Sequence, residues 1–115
     1  GERAVPSITA GAPPLRRGRR PNKTELRWLA MIGADRSVKK AVFEGVTLRL
    51  ADGVRYTPDV FVEYSDGALG LDEVKGAFIR PDAITKLRVA VSQYPGFRWR
   101  LAQWKGSRWH VRGCE

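Results

Sequence analysis

The sequence predicts an α/β domain of the α+β kind, in which helices flank a mixed central sheet, and three observations carry this prediction. Apolar residues recur at helical spacing in two segments, 22–33 and 81–94. Between them, residues 40–75 alternate apolar and polar side chains with the period of two that is typical of strands. Two further alternating segments follow residue 96. The predicted order of elements is therefore α-β-β-β-α-β-β.

The first predicted helix opens at Pro21-Asn22 and stops at Gly33. Its apolar side chains share helical spacing: Leu26, Trp28, Leu29 and Ile32. Asn22 and Glu25 also spell a variant of the capping box, in which the carboxylate returns to the backbone N–H of the capping residue. We expect a short amphipathic helix.

Three strands are predicted after this helix, each ended by a recognisable signal. The first runs from Lys40 to Leu50 and ends at the turn Ala51-Asp52-Gly53. The second runs from Val54 to Tyr64 and ends at Ser65-Asp66-Gly67, and the third runs from Ala68 to Lys75. Short turns between neighbouring strands predict an antiparallel meander.

The second predicted helix starts near Pro81-Asp82 and is stopped by Pro95-Gly96. Two strands close the chain, around Phe97–Leu101 and Trp109–Val111, with the turn Lys105-Gly106-Ser107 between them.

Composition places the chain among ordinary globular proteins and points to an acidic partner. Hydrophobic residues make up 43% of the 115 residues, and no apolar run approaches the roughly 18 residues of a membrane span, so we expect a soluble, intracellular, cytoplasmic protein without membrane contact. The only cysteine, Cys114, excludes an internal disulfide. A net charge of +9, from 21 Lys and Arg against 12 Asp and Glu, favours a nucleic acid as partner.

Residues 1–21 are predicted to form a flexible basic arm, and residues 22–115 a single domain. The arm is rich in glycine and proline and contains the basic residues Arg16, Arg17, Arg19 and Arg20. Such residues contact DNA phosphates without choosing a sequence. A solvated tail with no contact to DNA is the alternative interpretation.

Three side chains of the predicted meander suit phosphodiester hydrolysis. Residues two apart on a strand share a face, so Glu73 and Lys75 project together, and the hairpin register can bring Asp59 beside them. Mg²⁺ is typically held by one or two carboxylates plus substrate phosphate, which makes Asp59 and Glu73 candidate ligands. The backbone carbonyl of Val74 is a further candidate ligand. Lys75 can orient the metal-bound water or stabilise the transition state.

The run Tyr56-Thr57-Pro58-Asp59, thirteen further residues and then Glu73-Val74-Lys75-Gly76, set between two helices, resembles the PD-(D/E)XK nuclease superfamily. It is most similar to small phage-encoded members, which include Holliday junction resolvases of DNA recombination, and the similarity covers residues 22–104. The resemblance implies a restriction-endonuclease-like αβββαβ core, catalytic roles for Asp59, Glu73 and Lys75, and Mg²⁺ as cofactor, with Mn²⁺ able to substitute. It also implies that Glu25 completes the metal site and that Gln93 lies near it.

Several of these residues keep two interpretations. Glu25 is either a metal ligand or a capping residue, and Gln93 is either an active-site neighbour or the polar end of a helix. Lys86, like Arg88, either contacts phosphate or belongs to a solvated helix face. The single histidine, His110, is interpreted as a surface residue.

The two C-terminal strands are predicted to present four arginines as one stripe that would suit a DNA backbone: Arg98, Arg100, Arg108 and Arg112. The four tryptophans are interpreted mainly as core residues, although stacking on unpaired bases is the alternative.

Three functions compete at this point. The first is a metal-dependent endonuclease acting on double-stranded or branched DNA, for which a homodimer would suit paired cuts. The second is a DNA-binding module with the nuclease fold and no useful turnover. The third, a protein that binds RNA or single strands through tryptophan, leaves Asp59, Glu73 and Lys75 unexplained.

Overall fold

The structure is a computed structural model that describes residues 8–10 and 19–114. Within these residues the chain forms two helices, eight strands and one 3-10 helix: β1 Ile8–Ala10, α1 Lys23–Gly33, β2 Val38–Phe43, β3 Val46–Arg49, the 3-10 helix Ala51–Gly53, β4 Arg55–Tyr56, β5 Val60–Tyr64, β6 Leu69–Lys75, α2 Pro81–Gln93, β7 Arg98–Lys105 and β8 Arg108–Gly113.

The central sheet has five strands in the order β2-β5-β6-β7-β8. Strands β2, β5 and β6 pair antiparallel in the predicted manner, although the turn predicted between the first two strands joins β3 to β4 instead, and β7 pairs antiparallel with β8. The pairing of β6 with β7 is parallel. Parallel neighbours need a crossover connection, and α2 supplies it. The α+β class with a mixed sheet flanked by helices is therefore confirmed.

The two helices cover opposite faces of this sheet. Trp28 and Ile32 of α1 pack in one core cluster with Val60 and Val62 of β5. Side chains of α2 pack in the other cluster, together with residues of β6 and β7: Leu87, Ala90, Val91, Leu71, Trp99 and Leu101. Strand β6 is buried from both sides, so its polar side chains need partners. Leu26, predicted to lie on the apolar face of the first helix, is 53% exposed because that face is set by Glu25, Trp28 and Ile32.

Two predicted strands are each broken in the structure. The strand predicted from Lys40 to Leu50 divides at Glu44 and Gly45, where Glu44 has a positive φ of 48°. The second half, β3, leaves the central sheet and joins a small sheet of order β1-β3-β4. The apolar alternation keeps its phase across the turn, which makes the two strands look like one. The strand predicted from Val54 to Tyr64 divides around Pro58, which has no N–H to donate to a ladder.

The turns and ends agree more closely with prediction. The turn predicted at Ala51-Asp52-Gly53 is a 3-10 helix that joins β3 to β4, which pair antiparallel. Gly67, with a φ of 90°, closes the predicted turn between β5 and β6.

Part of the predicted flexible arm has defined structure. Ile8–Ala10 forms β1 and pairs with β3, in keeping with the strand propensity of isoleucine and threonine. Arg19 and Arg20 lie among the described residues that precede α1, whereas Arg16 and Arg17 lie outside them. Neither helix has the length and apolar character needed to cross a membrane, in the part of the chain that the structure describes.

Candidate active site

Asp59 and Glu73 meet where the β5 and β6 pair ends. The register sets Val60 opposite Asp72, so the next step along both strands brings Asp59 beside Glu73. The backbone N–H of Val74 donates to Asp59 Oδ2 at 2.7 Å and fixes this carboxyl group. Asp59 lies just before β5 rather than within a strand, because Pro58 breaks the segment. The hairpin therefore assembles the predicted carboxylate pair.

Lys75 lies beside Glu73, as the strand period predicted. Its Nζ is 3.4 Å from Glu73 Oε2. On the other side, Tyr56 lies close to Glu73 and lines the same cleft. Burial raises the pKa of Glu73, and the hydroxyl of Tyr56 and the charge of Lys75 oppose this rise without cancelling it.

Asp59 is a buried carboxyl group among other carboxyl groups. Burial, followed by repulsion from Glu73, raises its pKa to about 8, while the Val74 N–H and Lys75 act in the opposite direction. In the absence of a further cation, this group therefore favours the protonated form near neutral pH. A site of this kind favours whatever positive charge can reach it.

Glu25 faces the same site from the first turn of α1 and is 3% exposed. Its Oε1 accepts from the Asn22 N–H at 2.9 Å, and Asn22 Oδ1 accepts from the Glu25 N–H at 2.8 Å, so the predicted capping box is present. Burial alone would raise the pKa of Glu25, but hydrogen bonds from Arg19 and from the Asn22 N–H outweigh it and lower that pKa. Capping does not prevent the carboxylate from facing the site.

Arg19 closes one end of the site. Its NH2 nitrogen lies 2.8 Å from Glu25 Oε2 and 3.5 Å from Asp59 Oδ1, and its Nε lies 2.9 Å from Glu44 Oε2. The guanidinium also lies over the Phe43 ring, 4.8 Å from its centroid. The hydrogen bonds that Arg19 donates to Glu25 and Glu44 raise the pKa of Arg19 above its ordinary range. Arg19 is thus a counter-ion of the acidic site.

These side chains line one cleft of about 650 Å³ at the carboxyl end of β6. It brings together Glu25, Asp59, Glu73, Val74 and Lys75 from the predicted site, and Arg19 and Lys86 from the predicted DNA-binding set. The remaining lining residues are Asn22, Arg55, Tyr56, Thr57 and Gly76.

Sequence reasoning assigned no role to Tyr56 or Glu44. Tyr56 stands in the motif run itself, and its hydroxyl was the available signal. For Glu44 the sequence offered no indication of a role near the cleft, apart from a Glu-Gly pair that interrupts a segment of alternating apolar and polar residues. Asp72 was also passed over, although it is fully buried and accepts from Trp28 Nε1 at 2.9 Å.

Gln93 is not among the residues that line the cleft. Its Oε1 accepts from the backbone N–H of Ala51 at 2.8 Å and so ties the end of α2 to the 3-10 helix. His110 is exposed on β8, as predicted, and its Nε2 lies 3.1 Å from the carbonyl oxygen of Lys105.

The four arginines of the last two strands do not form one stripe. In the β7 and β8 pair, Leu101 is opposite Arg112 and Lys105 is opposite Arg108, so these arginines share a face with Leu101. Arg98 and Arg100 lie on the other face. The prediction of a single stripe is wrong because the two-residue turn pairs even-numbered residues of β7 with odd-numbered residues of β8. The even-numbered arginines of the two strands therefore lie on opposite faces of the sheet.

Arg100 has a structural partner. Its Nε and NH2 donate to Asp72 at 2.9 and 2.8 Å, an arrangement typical of a buried bidentate pair. Arg98 is exposed and pairs with Asp66 at 3.1 Å.

The donor set suits a hard divalent cation in its chemistry. Asp59, Glu73 and Glu25 offer carboxylate oxygens, and Mg²⁺ takes oxygen ligands. No three His, Cys, Asp or Glu side chains form a complete ligand set within residues 8–10 and 19–114. Mg²⁺ typically keeps waters and substrate phosphate oxygens as ligands, so one or two of these carboxylates are sufficient protein ligands.

Comparison of the chain with family models, curated proteins and solved structures gave no match. The resemblance to PD-(D/E)XK nucleases therefore stays a prediction that rests on the motif residues and the order of elements.

Proposed function

We propose that the protein is a Mg²⁺-dependent endodeoxyribonuclease of the PD-(D/E)XK type. The observation that carries the proposal is the convergence of Asp59, Glu73 and Lys75, with Glu25, in one cleft. A strand geometry that places two carboxylates and an ammonium group together in a basic protein suits cleavage of a phosphodiester.

In this proposal the residues of the cleft have separate roles. Asp59 and Glu73 would hold the ion, with Glu25 and the Val74 carbonyl as additional oxygen donors. When bound, Mg²⁺ supplies charge neutralisation at the phosphate and lowers the pKa of its water. Lys75, next to Glu73, orients the attacking water or neutralises charge developing on the phosphate. The Tyr56 hydroxyl lowers the pKa of Glu73 and so favours its charged form.

In this proposal, DNA would approach the cleft over a surface with several basic side chains. Lys86 and Arg55 line the cleft, and Arg108 and Arg112 lie exposed on β8, on the same sheet face as Glu73 and Lys75. With Arg16, Arg17, Arg20 and a net charge of +9, these residues favour a polyanion. We propose double-stranded or branched DNA, cut by a homodimer, in the cytoplasm of a bacterial or phage-infected cell.

The second candidate is a DNA-binding module without turnover, and one contact favours it. The guanidinium of Arg19 lies against two of the proposed ligands. An arginine fixed there would leave the carboxylates neutralised and the site inactive.

Cleavage of linear, flapped and four-way DNA with Mg²⁺, Mn²⁺ or EDTA separates these functions. The endonuclease proposal expects products only with a divalent ion. Binding of all substrates without products under either metal would favour the binding module.

A further inference from the structure

Arg19 lies where a metal ion would approach the proposed ligands. One terminal nitrogen, NH2, contacts both Glu25 Oε2, at 2.8 Å, and Asp59 Oδ1, at 3.5 Å. The other oxygen of Asp59, Oδ2, accepts from the backbone N–H of Val74 at 2.7 Å. Because this bond already uses one lone pair of Oδ2, Oδ1 is the oxygen more open to a cation from the cleft, and it is the oxygen that faces Arg19.

A divalent ion and the guanidinium exclude each other at this point. Both need the same two oxygens, and two cations in contact within a partly buried site repel strongly. The ligand oxygens of Mg²⁺ lie about 2.1 Å from the ion. No space would therefore remain between the ion and these oxygens for the NH2 nitrogen of Arg19.

The protein can release Arg19 without dismantling the site. Arg19 is 30% exposed in its side chain and lies before α1 in a segment without regular secondary structure. Glu25 would keep its position, because its Oε1 also accepts from the Asn22 N–H in the capping box. The guanidinium touches Oε1 as well, at 3.2 Å, but the backbone contact is independent of it.

We infer that Arg19 is an internal competitor of the metal ion, which occupies Glu25 and Asp59 until the ion replaces it. This inference rests on the proposed function and adds a form of regulation to the same site. The capping role and the ligand role of Glu25 become compatible, since Oε1 accepts from the backbone at the cap and Oε2 faces the cation. Once displaced, the guanidinium is free to bind a DNA phosphate, for which its planar fork is suited. DNA that holds Arg19 therefore favours metal binding, and without DNA the ion binds more weakly because it has to displace Arg19.

The test compares Mg²⁺ binding, without DNA, by the parent protein and by Arg19→Gln and Arg36→Gln. Arg36 is the matched control, since it is an exposed arginine outside the cleft and its loss changes the net charge equally. If the state with Arg19 displaced has a population of about one tenth, removing Arg19 tightens Mg²⁺ binding about tenfold in calorimetric titration. Arg36→Gln should bind as the parent does. Equal or weaker binding by Arg19→Gln would overturn the inference.

A second measurement covers the case in which Arg19→Gln does not fold. In the parent protein, Arg19 Nε donates to Glu44 at 2.9 Å, so its Nε–Hε signal in NMR reports the contact. Saturating Mg²⁺ should shift this signal, and an unchanged signal in a protein that binds the ion would contradict the exchange. No divalent ion bound by any variant, with or without a DNA oligonucleotide, would instead contradict the proposed function.

Discussion

At the scale of single residues, Glu25 combines a structural and a chemical role in one carboxylate. A capping box needs an acceptor that reaches the backbone, whereas a metal ligand needs charge. The structure gives Glu25 both the backbone contact with Asn22 and a position in the cleft. Substitutions at these two positions separate the roles.

Glu25→Gln should lose cleavage at low Mg²⁺ with little change in melting temperature, because the amide oxygen still caps the helix but is a poorer partner for the ion. Asn22→Ala should behave in the opposite way, since it removes a cap worth about 1 kcal/mol and leaves the carboxylate in place. Thermal unfolding and cleavage rates of both variants check this. Cleavage by Glu25→Gln at the parent rate would remove Glu25 from the site.

The pKa of Asp59 predicts how stability depends on pH in the metal-free protein. Folding raises this pKa from 3.8 to about 8, so between these values the folded protein binds more protons than the unfolded chain. The free energy of unfolding therefore falls as pH rises through this range. Asp59→Asn should weaken this dependence, whereas Asp82→Asn, at an exposed carboxylate, should preserve it. A parent protein whose melting temperature rises across the range would contradict the assignment.

The residues of the site differed in how far sequence could predict them. Glu73 and Lys75 followed from the fixed period of a strand, and Asp59 followed from the hairpin that joins its segment to theirs. Arg19 and Glu44 meet only because the chain turns at Glu44-Gly45 and because Arg19 precedes α1. Such contacts depend on tertiary placement, for which spacing along the chain contains no signal.

At the scale of elements, the alternation of side chains predicts which face of the sheet a residue occupies only when the number of residues in each turn is taken into account. The turn at Gly106-Ser107 has two residues, which sets Lys105 opposite Arg108. Counting from that pair assigns Arg112 to the face of Leu101, away from Arg100. The two-residue length of this turn is visible in the sequence. The break at Gly45 gives no such signal, because Val42 and Val46 continue the same alternation of apolar and polar residues across it.

The two arginines of β7 should differ sharply in their effect on stability. Arg100→Ala leaves Asp72 buried with its charge partner removed, which costs about 3–5 kcal/mol for a buried pair. Arg98→Ala removes an exposed pair from the same face of the same strand and should cost less than about 1 kcal/mol. Urea unfolding of the two variants measures the difference. Equal losses would show that the pair between Arg100 and Asp72 adds little.

At the scale of the whole molecule, a strongly basic protein has a cleft in which three carboxyl groups lie among four basic side chains. The net charge of +9 favours attraction of DNA, whereas Glu25, Asp59 and Glu73 come together in the cleft, where a metal ion could bind. Binding and cleavage should therefore respond to different substitutions.

The double variant Arg16→Gln, Arg17→Gln should weaken binding about equally for all DNA sequences. Each lost phosphate contact should reduce the slope of log K against log salt by about 0.9, because fewer counterions are released. Binding measured at several salt concentrations tests this, with thermal unfolding as the control for folding. A variant with the parent's affinity and salt slope would show that this part of the arm does not touch DNA.

We propose that the carboxylates of the cleft, rather than the fold or the charge, would give the protein nuclease activity. The most direct test measures single-turnover cleavage of DNA under Mg²⁺ by the parent, Glu73→Gln and Glu63→Gln. Glu63 is the matched control, a half-buried glutamate of the neighbouring strand that does not line the cleft. We expect Glu73→Gln to bind DNA at least as tightly as the parent and to cleave none, while Glu63→Gln cleaves at the parent rate. Cleavage by Glu73→Gln at the parent rate would contradict the account.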